Sequence, residues 1–249
     1  MPTELRLVIP HVRLTITLLL VSLLVACGGG DVSTATPPTV PAAVLPGDWL
    51  VIGTSTAAGV GAPVDSGWVT LLSQALASRG VRISNVARAG TLSYHWLPAA
   101  AARPLQRQAT IEALDVLKLE PASPRLVVLS FPSNDTMAGI SAGETVDNLL
   151  LLRHIELDRG AVVFVTSSQP RNDADTSQRA TMQAVDAALQ AKLGDCFVDV
   201  RSSLVGADGA LAADVAAADG VHLNAQAHRK LFDLILAAIV SGRCSMPQR

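Results

Sequence analysis

Short, nearly unbroken apolar runs alternate with longer amphipathic stretches along this chain, and few folds accommodate that order. Trp49 to Gly53, Val81 to Val86, Leu126 to Phe131 and Ala161 to Thr166 have strand length and are rich in Val, Leu and Ile, with Cys196 to Val200 a weaker fifth. A strand with one wet face alternates apolar and polar residues, whereas a continuous run suits a strand buried on both faces of a parallel sheet. Between the runs lie helical patterns over Trp68 to Arg79, Leu105 to Leu119, Glu144 to Asp158, Thr176 to Leu193 and Asn224 to Val240. Parallel neighbours need long crossover connections, which these helices supply. The expected fold class is therefore α/β, a three-layer α/β/α sandwich around a central, mostly parallel five-stranded sheet.

The first 47 residues do not share this pattern. Arg6 and Arg13 flank a short start, and Leu14 to Ala26 is an apolar run of signal-core length, too short to span a bilayer comfortably. It ends in Leu24-Val25-Ala26-Cys27, which resembles a bacterial lipobox. That resemblance implies removal of residues 1–26, lipidation of Cys27 and a membrane partner reached through the lipid anchor. Gly28 follows the cysteine where an aspartate would signal retention, so the address resembles that of the outer membrane or periplasmic face of a bacterial envelope. Residues 27–47 continue with three glycines and with Pro37, Pro38, Pro41 and Pro46 among small residues. Such a composition buries too little surface to offset chain entropy and reads as a tether. The folded domain is expected over residues 48–243, with 244–249 as a tail.

Charge narrows the function. Nineteen Lys and Arg balance 21 Asp and Glu for a net charge of -2, which leaves no electrostatic footprint for nucleic acid. No metal-ligand spacing of His, Cys or carboxylate is visible, so neither a metal nor another cofactor is expected. A monomer acting on a small-molecule or envelope substrate is the simplest organisation.

Four chemistry-bearing residues each follow a strand-like run: Ser55 in Gly53-Thr54-Ser55, Gly90 in Ala87-Arg88-Ala89-Gly90, Asn134 in Pro132-Ser133-Asn134-Asp135, and His222 in Asp219-Gly220-Val221-His222. In an open parallel sheet the carboxyl ends of the strands share one edge, and ligands bind in the crevice outside it. Ser55 reads as a nucleophile whose turn also offers backbone N–H groups to a developing anion, or as a plain helix cap. Asn134 is an oxyanion donor or a turn residue, and Gly90 a donor or a loop glycine. Among the histidines at 11, 95, 154, 222 and 228, only His222 has a carboxylate three residues upstream, Asp219, able to hold one ring nitrogen while the other faces a serine. Asp214 is the weaker candidate for that orienting role.

Together these blocks resemble the SGNH hydrolases, the GDSL esterase and lipase superfamily, from Asp48 to Val240. The resemblance implies their flavodoxin-like fold and a serine esterase forming an acyl-enzyme. It assigns Ser55 as nucleophile, His222 as base, Asp219 as the third triad member, and Ser55, Gly90 and Asn134 as oxyanion donors. Two positions depart from the family pattern. Thr54 stands where an aspartate usually braces the oxyanion loop, and Pro132 where a glycine is usual. Neither removes the mechanism.

Tyr94 and Trp96 follow Gly90 closely enough to line the crevice and bind substrate, although Trp96 also suits the core. An envelope location suggests lipid esters, acyl thioesters or acylated glycans. The rival reading is a catalytically silent, surface-tethered binding module on the same fold. Cys196 and Cys244 remain once Cys27 carries lipid, and an oxidising envelope would allow them to pair.

Overall fold

Five parallel strands form the centre of the molecule: β1 (Gly47–Gly53), β2 (Val81–Asn85), β3 (Leu126–Ser130), β4 (Val162–Thr166) and β5 (Phe197–Val198). The computed structural model describes residues 45–98, 114–131 and 133–245. The signal segment, Cys27, the tether as far as residue 44, and Pro132 lie outside the described residues, while Gly47, expected as the end of the tether, already pairs with Val81 in β1. The strand order is β2-β1-β3-β4-β5, and every pairing is parallel. Residues Leu50 to Gly53 of β1 and all of β3 are buried, as the continuous apolar runs require.

Helices α1 (Trp68–Leu76), α2 (Asn134–Met137), α3 (Ala142–Asp158) and α4 (Thr176–Leu193) lie in the connections between strands, and α5 (Ala225–Val240) follows the last one. α1 packs against α5 and α3 against α4. The inward stripe of α5, Leu231, Phe232, Ile235, Leu236 and Ile239, follows the helical period. Burying one such side chain contributes about 1.5–3 kcal/mol. Caps set the helix starts where the sequence places them. Ser141 accepts from Glu144 N–H, Asp175 from Gln178 N–H, and Asn224 from Ala227 N–H. Among the described residues no helix is long and apolar enough to cross a membrane.

Two elements differ from expectation. Of the helix expected over 105–119, residues 105–113 lie outside the described residues. The remainder is a short 3-10 turn, Val116–Lys118, entered through Asp115 at φ 44°, a left-handed conformation that interrupts an α-helix. The fifth strand is shorter than the run that suggested it. The Ser167 hydroxyl accepts from the N–H groups of Val200 and Arg201 at 2.9 and 2.8 Å, drawing the backbone out of the ladder after Val198.

Cys196, just before β5, is disulfide-bonded to Cys244, beyond the end of α5. The bridge ties the last helix to the sheet's edge across 48 residues of sequence. Closing a loop of that length stabilises by roughly 2–4 kcal/mol. Replacing both cysteines by serine is expected to lower the unfolding free energy by that amount in a urea titration. Equal stability of wild type with and without reductant would exclude the contribution.

Candidate active site

The order in which the chain adds strands reverses between β1 and β3, where an open sheet of this order forms its ligand crevice. Ser55 lies two residues past the end of β1, at 9% exposure. Its turn is closed by Val60 N–H donating to Ser55 O at 2.9 Å and Ala58 N–H to Thr54 O at 2.9 Å. Gly90 follows β2 at φ 78°, and a Cβ there would meet nothing within 4 Å, so conformation and not space selects glycine. Among the described residues neither the Ser55 N–H nor the Gly90 N–H has a protein acceptor.

His222 and Asp219 are in direct contact. The imidazole Nδ1 lies 2.6 Å from Asp219 Oδ2, while Oδ1 accepts from the N–H groups of His222 and Val221, both at 2.9 Å. The bond from His222, followed by the two backbone donors, holds the Asp219 carboxyl well below the usual carboxylate range. A carboxylate only accepts, so in the neutral ring the proton sits on Nδ1 and Nε2 carries the lone pair. Asp214 points elsewhere, to Gln226 Nε2 at 3.3 Å and Lys230 Nζ at 3.9 Å. The His222 loop is itself fastened, with Ala217 N–H donating to His222 O and Asn224 N–H to Val215 O.

Two contacts bring this loop to the serine turn. Gly61 packs so closely that a Cβ would stand 2.5 Å from Leu223 O and 2.7 Å from His222 Cβ. Gln169, beyond β4 and 4% exposed, accepts from the Thr56 hydroxyl through Oε1 and donates from Nε2 to Val221 O at 2.5 Å. The Ser55 hydroxyl is not bonded to the imidazole, and such contacts often tighten only with substrate in place.

Asn134 opens α2, with Nδ2 donating to Thr91 O at 3.0 Å and Oδ1 accepting from Arg171 Nη1 at 3.2 Å. Its donor end therefore lies beside the Gly90-Thr91 turn. Asp135 anchors the same turn from below, its carboxylate accepting from Ser93 N–H at 2.8 Å and from the Ser93 hydroxyl. Burial pushes that carboxyl's pKa up, and the Ser93 bonds oppose the shift.

Trp96 is not a crevice wall. At 1% exposure it stands edge-on to Phe131, its N–H donating to Thr91 Oγ1 at 3.2 Å, so it packs in the core beneath the Gly90 turn. Tyr94 is also buried. The Thr91 hydroxyl donates to Arg88 O at 2.7 Å and lies 3.4 Å from Gly53 O. It braces the loop where Thr54, fully buried with no hydrogen-bond partner for its hydroxyl, does not.

Over residues 51–230 the sequence matches the GDSL-like Lipase/Acylhydrolase family. The chain belongs to that family. Solved structures of the same fold include TesA, at 23% identity and TM-score 0.58 over 78% of this chain and 98% of that one. The psychrotrophic esterase EstA from Pseudoalteromonas sp. is 18% identical, with TM-score 0.58 over 78% and 97%. A lipase/acylhydrolase from Enterococcus faecalis is 19% identical, with TM-score 0.57 over 81% and 99%. No curated protein sequence matches the chain.

Gln169 and Arg171 are not among the residues that the sequence singles out, and His228 lacks the upstream carboxylate that distinguishes His222. The bonds that tie Gln169 and Arg171 to the site join residues 37 to 113 apart in the chain, and only Asp173, two residues from Arg171, is a local partner. His228 is fully buried in α5, accepting from Trp68 N–H on Nδ1 at 3.3 Å, with Nε2 3.5 Å from Val60 O. It caps α1 and seats the turn that carries Gly61.

Gln169→Leu removes the partner of the buried Thr56 hydroxyl and of the half-buried Val221 carbonyl, at a cost of roughly 1–3 kcal/mol. It should lower turnover of an ester substrate about 10- to 100-fold by loosening the serine and histidine loops. Urea unfolding beside ester kinetics checks both, and unchanged turnover would confine the bridge to stability. Burial lowers the His228 pKa below its ordinary 6.5, opposed by the Val60 carbonyl. The stability contributed by neutral His228 is thus complete above that ordinary value and is lost as pH falls through the lower folded one. His228→Gln should lose less stability than wild type between about pH 7 and pH 5 by thermal melting, because imidazole titrates across that range. Equal losses would exclude His228 as the group responsible.

Proposed function

We propose that this family member is a serine esterase that hydrolyses carboxylic esters through an acyl-enzyme. The observation that carries the reading is the Asp219–His222 pair, which fixes a ring tautomer with Nε2 free on a loop packed against the Ser55 turn. His222 Nε2 takes the proton of Ser55 Oγ as Oγ attacks the ester carbonyl. The N–H groups of Ser55 and Gly90 and the Asn134 amide receive the oxyanion. Collapse expels the alcohol, which takes the proton from His222, and water repeats the sequence to free the acid. EstA from Pseudoalteromonas sp., inhibited by monoethylphosphonate, offers an analogy for a tetrahedral species in such a site. A lipid on Cys27 would hold the domain at the bacterial envelope, where lipid esters and acylated glycans are the substrates within reach.

Ser55→Ala is expected to abolish turnover of p-nitrophenyl esters and fluorophosphonate labelling while leaving the melting temperature near wild type. Activity close to wild type in that variant would make Ser55 a helix cap and end this mechanism. The neutral His222 ring is the base that accepts the Ser55 proton. Asp219→Asn should lower the rate about 1000-fold or more by disturbing that ring, with Asp214→Asn near wild type. The reverse pattern would move the orienting role to Asp214. Acyl-chain preference across the ester panel separates acetylated glycans from longer lipids.

A further inference from the structure

Arg171 is the one cation bonded to the side chain of Asn134 among the described residues. Its Nη1 donates to Asn134 Oδ1 at 3.2 Å, while Nε and Nη2 form a two-pronged pair with Asp173 Oδ1 and Oδ2 at 2.8 and 2.7 Å. The Arg171 side chain is 14% exposed, so it is largely withdrawn from water, whereas that of Asp173 is 45% exposed. Next to it, Asn172 N–H donates to Gly220 O at 3.0 Å, fastening this segment to the His222 loop.

A carboxamide can present its oxygen or its nitrogen to a site, and only the nitrogen donates. Guanidinium has no acceptor, so the end of Asn134 facing Arg171 must be Oδ1. The other end, Nδ2, is thereby turned to the Gly90-Thr91 turn. One of its hydrogens goes to Thr91 O, and the second remains for a developing oxyanion. A charged donor on Oδ1 also draws electron density from the amide and makes that second N–H a better donor. Asp173 keeps the fork planar to its carboxylate and stops Arg171 from swinging into the crevice.

We infer that Arg171, held by Asp173, is a positioning residue that sets the orientation of Asn134 and strengthens it as an oxyanion donor. This rests on the esterase reading above. It requires no contact between Arg171 and the substrate.

A double-mutant cycle with a short-chain p-nitrophenyl ester tests it. Asn134→Ala is expected to lower kcat about 100- to 1000-fold. Arg171→Met should lower kcat about tenfold with KM nearly unchanged, a loss equivalent to roughly 1.4 kcal/mol. In the Asn134→Ala background the same change should cost less than about twofold, because the group it acts through is gone. Arg171→Lys, which retains a charged donor, should recover part of kcat and covers the case in which Arg171→Met melts early. A full loss in the Asn134→Ala background, or a rise in KM with kcat intact, would overturn the assignment and make Arg171 a substrate contact or a structural residue. The side-chain amide signals of Asn134, assigned in a 15N spectrum by their loss in Asn134→Ala, should shift in Arg171→Met and not in the remote Asp233→Asn. Unmoved signals would overturn the proposal without reference to turnover. Activity surviving Ser55→Ala would instead defeat the esterase reading, so the two failures are distinguishable.

Discussion

The candidate site depends on the reversal in strand order between β1 and β3. In the order β2-β1-β3-β4-β5 these two strands are neighbours, yet the chain leaves β1 for β2 on one side and β3 for β4 on the other. Their carboxyl ends consequently open a crevice instead of sharing one covering loop. Ser55 and Asn134 stand on its two lips, Gly90 arrives from β2 next door, and Gln169 and Arg171 come from β4. A parallel sheet makes this convergence obligatory, because every strand discharges its chain at the same edge.

Loops at a sheet edge carry many backbone and side-chain polar groups into partly dry surroundings, and each one left unpaired is destabilising. Here the same bonds that satisfy those groups also align the site. Gln169 spans Thr56 and Val221, Asp135 and Asn148 meet at Ser93, and the Trp96 N–H supports Thr91. Thr54 Oγ1, beside Ser55, has no such partner. It occupies the position at which the family usually places an aspartate, and Thr91 supplies bracing from the neighbouring loop.

Charge is distributed so that each ionisable group has one assignment. Asp219 is kept anionic by His222 and two backbone donors, His228 is kept neutral by burial, and Arg171 is held by Asp173. Two histidines six residues apart thus differ in role because one faces a carboxylate at the edge and the other the carbonyl of Val60 in the interior.

The sequence by itself determined what periodicity and local spacing can carry. Continuous apolar runs specified buried parallel strands, helical stripes specified the covering layers, and Asp219 three residues before His222 specified a pair that needs only its own turn to form. Those features are local, and local sterics and hydrogen bonding act over a few residues. Tertiary structure decided the rest. Trp96 went to the core because Phe131 and Thr91 surround it, β5 ended early because Ser167 captured its N–H groups, and Gln169 and Arg171 acquired roles only when β4 was laid beside β3. The bonds from Ser167 to Val200, Arg171 to Asn134 and Gln169 to Thr56 join residues 33 to 113 apart in the chain. Such pairings arise from chain topology, which no window of neighbouring residues encodes.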